Sequence, residues 1–196
     1  MQYLNDVWEL IQLKDAAFKK TANDKYALKK YIKYYVLVMY VLMFLLMSII
    51  GIFVAIFSLA AGVGNSVLLI LLFMFLGLLI LPWILLLLDM FSGLVNHFIA
   101  VLLGGKANSF WDFYKAYHYP RPLRNAIALV PILNLIAQIY TIWDFAMLYK
   151  SLVIVHKLPK RTAGWFVGIK AGIVLVSGIL LFIAYFGFIV SLSALG

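Results

Sequence analysis

Residues 67–88 read VLLILLFMFLGLLILPWILLLL, an uncharged run of 22 residues. As a helix it is ~33 Å long at 1.5 Å per residue, enough to cross the ~30 Å hydrocarbon layer of a bilayer. The whole chain shares its bias. Of 196 residues, 66% are hydrophobic and 12% are charged, and the mean hydropathy is +1.07. A soluble domain is nearer half apolar and a quarter charged. No soluble core of this size hides so much apolar surface, and lipid is the solvent that accepts it. The fold class read from this is all-α, a polytopic integral membrane protein.

Outward from this run, a break at Ala61-Gly62-Val63-Gly64-Asn65-Ser66 suits a tight turn. It separates the run from an earlier uncharged span at residues 35–60. Residues 1–34 are a cytoplasmic amphipathic segment in which Leu4, Val7, Trp8 and Ile11 recur at helical spacing. This predicts a short helix lying on the membrane surface, with a soluble arm folded back onto the spans as the alternative. The first long apolar run begins after seven lysines, so no cleavable signal peptide is read and the first span is expected to stay as an anchor. In the other direction, Pro82 is a kink site. Helical character continues past Asp89, through Asn96 and His97, to the stop at Gly104-Gly105. The reading is one long helix over 67–103 that leaves the bilayer near Asp89 and projects into cytoplasm; the alternative is a second short span at 90–103. An aromatic, basic connector follows at 106–122, opened by the capping box Ser109-x-x-Asp112 and closed by Pro120 and Pro122. Residues 123–135 form a short span broken by Pro131 and Asn134. Spans at 136–156 and 163–191 complete a membrane domain of five spans over 35–196.

The basic residues set the orientation. Seven of the 16 precede the first span, four lie in the connector (Lys106, Lys115, Arg121, Arg124) and three in the turn Lys157, Lys160, Arg161. Lys150 and Lys170 sit close to that turn. The break at 61–66, the turn near Asn134 and the last residues carry none. By the positive-inside rule the N-terminus is cytoplasmic and the C-terminus outside, which demands an odd number of spans. The net charge of +9 is thus expected to face anionic lipid headgroups, with no nucleic-acid partner.

Charges within apolar stretches need a partner or a route to water. Asp144 with Lys170, and Asp89 with Lys150, lie at matching depths and are the candidate intramembrane ion pairs. They read as packing-locked pairs with snorkelling lysines, and an ion relay is the functional alternative. Gly164, Gly168 and Gly172 form a small-residue stripe for close helix packing, within the chain or in a homodimer. His97, His118 and His156 are far apart in sequence and read as interface residues rather than a metal centre. There is no cysteine, no His-Glu-x-x-His pair, no Gly-x-Ser-x-Gly elbow and no phosphate-cradling loop, and Glu9 is the single glutamate. No cofactor, no metal and no enzymatic activity are expected.

The run Asn96-His97-Phe98 through Leu103-Gly104-Gly105, then Ser109-Phe110, Ala116-Tyr117 and Pro120, resembles the Yip-domain family of multispanning membrane proteins, named in eukaryotes for interaction with Rab-type GTPases. Val130-Pro131-Ile132-Leu133, Ile142-Trp143, and His156 ahead of Lys160-Arg161-Thr162-Ala163 extend the likeness. The resemblance implies a five-span helical fold with a cytoplasmic N-terminus and a role in membrane organisation or traffic. The eukaryotic Asp-Leu-Tyr-Gly-Pro signature and a long N-terminal domain are missing, so the compact prokaryotic members of the cell membrane are the nearer likeness. The expected function is a non-enzymatic membrane protein that binds or organises other membrane components, through a protein partner or as a homo-oligomer. Candidate partner-binding residues are Asn96, His97, Phe110, Trp111, Tyr114, Tyr117 and Arg121. A small transporter or channel subunit, lined by Asn134, Gln138 and Asp144, is the alternative.

Overall fold

A computed structural model describes residues 2–60, 64–106, 109–122 and 134–193. The described residues form seven helices and no strand. They are α1 (Gln2–Ile11), α2 (Asp15–Asn23), α3 (Ala27–Ala60), α4 (Gly64–Leu102), α5 (Phe110–His118), α6 (Asn134–Ile154) and α7 (Lys160–Ser193). Three segments are long and apolar enough to cross a membrane: Ala27–Phe57, Phe75–Leu102 and Lys160–Gly187. The short span expected at 123–135 lies largely outside the described residues.

The three helices that carry these segments overrun the bilayer. At 1.5 Å per residue α3 and α7 are ~51 Å long and α4 is ~58 Å, against ~30 Å of hydrocarbon. α4 is one continuous helix, and the stretch 90–102 extends it without a break. Its end is set by Gly104, whose φ of +91° lies in the left-handed region that glycine tolerates. The Gly105 amide reaches back to the Ala100 carbonyl at 2.8 Å and closes a Schellman motif. Within α4, Pro82 lacks an amide to donate. Beside it, the Tyr40 hydroxyl of α3 donates to the Leu79 carbonyl at 3.1 Å and accepts from Trp83 Nε1 at 2.8 Å. A neighbouring helix thus supplies polar contacts where the proline interrupts the ladder.

α3 and α4 pack side by side, with Tyr31, Tyr35, Met39 and Met43 of α3 buried at a four-residue interval. α3 starts at Ala27, so the lysine-rich segment and the first apolar span are one helix across positions 34 and 35. Its lysines and its buried tyrosines occupy different faces.

The N-terminal helices pack on the rest of the chain. Tyr3, Val7 and Leu10 of α1 are buried, while Leu4 and Trp8 stay exposed. The apolar face expected from Leu4, Val7, Trp8 and Ile11 is therefore split, because the aromatic Tyr3 turns the helix so that its own stripe meets the core. α2 buries Ala17, Phe18, Thr21 and Ala22, and packs on α5 and α6. Leu13 joins α1 to α2 with φ +55°. The Tyr3 hydroxyl donates to the Tyr119 carbonyl at 2.9 Å, and Trp143 Nε1 of α6 donates to the Ile11 carbonyl at 2.6 Å. The segment folds back onto the helix ends, as in the alternative reading.

α5 is the hub. The Ser109 side chain accepts the Asp112 amide at 3.2 Å, the expected N-cap. Nine residues are too few for a stable isolated helix. α5 persists because Phe113 through His118 are all buried between α2, α3, α4 and α6.

Candidate functional site: a buried carboxylate node

Asp89 closes the apolar run of α4, and Tyr31 stands at the corresponding level of α3. The Tyr31 hydroxyl donates to Asp89 Oδ2 at 2.5 Å. From α5, the Tyr114 hydroxyl reaches the same oxygen at 3.2 Å and His118 Nδ1 reaches it at 2.8 Å. Arg121, just beyond α5, donates from Nη1 to Asp89 Oδ1. Four donors from three parts of the chain therefore converge on one carboxylate. Arg121 also donates from Nη2 to the Tyr117 hydroxyl at 3.0 Å, and its guanidinium lies 4.8 Å from the Tyr117 ring centre. Asp144 of α6 stands 3.9 Å from the same guanidinium.

The node is built around the Arg121 guanidinium, which faces the carboxylates of Asp89 and Asp144. Burial first, then the nearby Arg121, push the His118 imidazole down to about 4, so it is neutral at pH 7. With Asp89 as the acceptor, the proton is assigned to Nδ1. Burial, followed by the Asp89 charge, pushes the Tyr114 phenol well up, so it remains a donor.

A histidine held by a carboxylate is the general-base half of a hydrolytic site only if its other nitrogen meets a nucleophile. His118 Nε2 has no partner and is closed off by α4. A Cβ placed on Gly93 would stand 3.0 Å from Nε2 and 2.6 Å from the Tyr114 ring. The cavity beside Arg121, lined by Tyr117, Tyr140, Trp143 and Asp144 among others, measures about 10 Å³. That is the size of a single water, too small for a substrate. Among the described residues no three His, Cys, Asp or Glu side chains are grouped for a metal ion.

A second polar contact joins α4 to the turn ahead of α7. His97 Nδ1 and His156 Nε2 lie 3.3 Å apart, so one donates and the other accepts. His156 is fully buried against Phe113, and its backbone carbonyl accepts the Lys106 amide at 2.6 Å. Burial, and secondarily His97, push it down to about 4. His118 and His156 are thus core residues rather than interface histidines, and two of the three histidines meet.

The expected ion pairs are repartnered. Asp89 binds Arg121 and His118 in place of Lys150. Lys150 reaches Asp15 of α2 at 2.6 Å, and Lys170 donates to Asn96 Oδ1 at 2.9 Å. Depth along the chain set the expected pairs, but the folded-back α2 and the buried α5 bring in groups that depth alone does not include. Of the candidate partner-binding residues, Tyr114 and Tyr117 are buried in the core, Asn96 is buried beside Lys170 where α4 meets α7, and Trp111 is 42% exposed. His97, Phe110 and Arg121 are half-buried in the aromatic packing around α5. Among the described residues, a Cβ at Gly164, Gly168 or Gly172 meets nothing within 4 Å. Their stripe faces away from the side of α7 that buries Ala163 and holds Lys170.

Tyr31 and His118 are the node residues that sequence reading missed. The available signal was partial: Tyr31 and Asp89 lie on two successive helices that must pair, but their distances from the break at 61–66 differ by seven residues, so register alone does not match them. No family model, curated protein or solved structure matches this chain.

Proposed function

We propose that this chain is a multi-pass membrane protein without catalysis of its own, which binds or organises other membrane components at its cytoplasmic face. Five spans, a cytoplasmic N-terminus and an outer C-terminus complete the reading, in keeping with the likeness to compact Yip-domain proteins. The observation that carries it is the contrast between a sealed polar node and the surface around it. Every donor on Asp89 is engaged in holding helices together, whereas the faces of α3, α4 and α7 expose leucine, isoleucine and phenylalanine along their length. Such surface calls for lipid or protein neighbours rather than a soluble substrate. The basic residues of the described segments gather toward the node end of these helices, where anionic headgroups and cytoplasmic partners would be met.

The test is site-specific photocrosslinking from position 111 in intact membranes, with position 114 as a buried control. One stoichiometric protein adduct at 111 and none at 114 supports the reading. Solute or ion flux through the purified protein in proteoliposomes contradicts it and favours a transporter.

A further inference from the structure

Lys170 occupies an unusual place for an ammonium group. It lies in a groove of about 530 Å³ between the outer half of α4 and the first turns of α7. The walls are apolar: Ile99 and Leu103 from α4, and Trp165, Phe166 and Ile169 from α7. Its hydrogen-bond partner is the neutral Asn96 side chain, and no carboxylate of the described residues lies within 4.0 Å of it. Because Lys170 must donate, it fixes the Asn96 amide with Oδ1 toward itself. Among the described residues the Asn96 Nδ2 group has no partner, on a residue only 3% exposed. An unpaired buried amide and a cation in apolar surroundings are both costly. Together they present donors only, so the ligand that satisfies them is an acceptor carrying negative charge.

Depth identifies the ligand. Asn96 is seven residues beyond Asp89 on α4, ~10 Å along the helix. The candidate span Phe75–Leu102 is ~42 Å long, which matches the ~40–45 Å of a bilayer with its headgroups, and Asn96, six residues (~9 Å) inside the end of that span, stands just below the headgroup layer with the long Lys170 side chain beside it. Trp165, 65% exposed at the groove's edge, is the residue type that favours this layer. We infer that the groove between α4 and α7 is a binding site for an anionic phospholipid, with its phosphate on Lys170 and the Asn96 amide and an acyl chain running down past Ile173. The inference rests on the membrane reading above.

Native mass spectrometry of the detergent-purified full chain, titrated with phosphatidylglycerol or phosphatidylcholine, tests it. The wild type is expected to bind phosphatidylglycerol at least tenfold more tightly. Lys170→Met removes the charge, and Ile99→Trp fills the groove while keeping it; each is expected to abolish the preference. Lys160→Met, on the exposed basic turn, is expected to stay within twofold of wild type. Equal binding of the two lipids, or a wild-type preference in either variant that elutes as folded protein, overturns the inference. Membranes washed with alkaline carbonate separate the two failures. A wild-type chain extracted by carbonate removes the membrane reading and the lipid site with it, whereas an inserted chain without lipid preference removes the site alone.

Discussion

Asp89 takes four donors, and its removal is expected to act on stability well beyond the loss of one contact. Asp89→Asn leaves the Arg121 guanidinium in a largely buried place with the more distant Asp144, at 3.9 Å, as its remaining counter-charge. Breaking one side of a buried pair costs about 3–5 kcal/mol, or about 10 °C in Tm for a chain of this length. Thermal unfolding in detergent measures it. Lys150→Met is the contrast, because its partner Asp15 is 63% exposed at the side chain. Such pairs contribute about 1 kcal/mol or less, so Tm is expected to move by a few degrees at most. The histidines add a pH dependence of defined sign. His118 and His156 are both held near 4 in the fold, below the usual ~6.5. Folding therefore favours their neutral forms. That stability is present above pH ~6.5 and is lost as pH falls toward 4, with about 2 kcal/mol at stake for each at pH ~5. Tm is expected to drop by about 10 °C from pH 7 to pH 5, and His156→Asn to keep about half of that drop. A flat Tm over this range contradicts the burial of both rings.

Among the elements, α5 and the stretch of α4 beneath it set the packing of the charged end. Gly93 is where they touch: a methyl group there meets the Tyr114 ring and His118 together. Both rings are buried and cannot swing aside. Gly93→Ala is expected to destabilise the protein by about 1–3 kcal/mol, as overpacking does. Gly168→Ala meets open space and is expected to be neutral or slightly stabilising through helix propensity. Tm values of the two variants that are equal would contradict the close contact of α4 with α5. Much of this level was legible in sequence. The uncharged runs marked α3, α4 and α7. Gly104-Gly105 marked the end of α4, and Ser109-x-x-Asp112 marked the start of α5. The cause is local in each case: apolar length, left-handed glycine, a side-chain cap. What escaped was everything set by long-range folding. The amphipathic spacing of α1 is compatible with two faces, and only contact with Tyr119 and α6 selects the one through Tyr3. The partners of Asp89, Lys150 and Lys170 come from elements distant in sequence, and no local pattern encodes them.

Among the described residues, one end of the molecule is charged, aromatic and closely packed, and three long apolar helices with exposed surfaces run away from it. α1, α2, α5 and the ends of α3, α4 and α7 build that end around Asp89. This asymmetry supports the central proposal, that the basic segments stand on one side of a bilayer. The chain has no cysteine, so single introduced cysteines report sidedness without background. The decisive measurement is labelling of Gln12→Cys, Lys157→Cys, Asn65→Cys and Ser193→Cys variants by a membrane-impermeant thiol reagent in sealed right-side-out vesicles. Positions 65 and 193 are expected to label at once, and positions 12 and 157 only after the vesicles are opened. Labelling of 12 or 157 in sealed vesicles, or protection of 193 alongside them, would contradict the account.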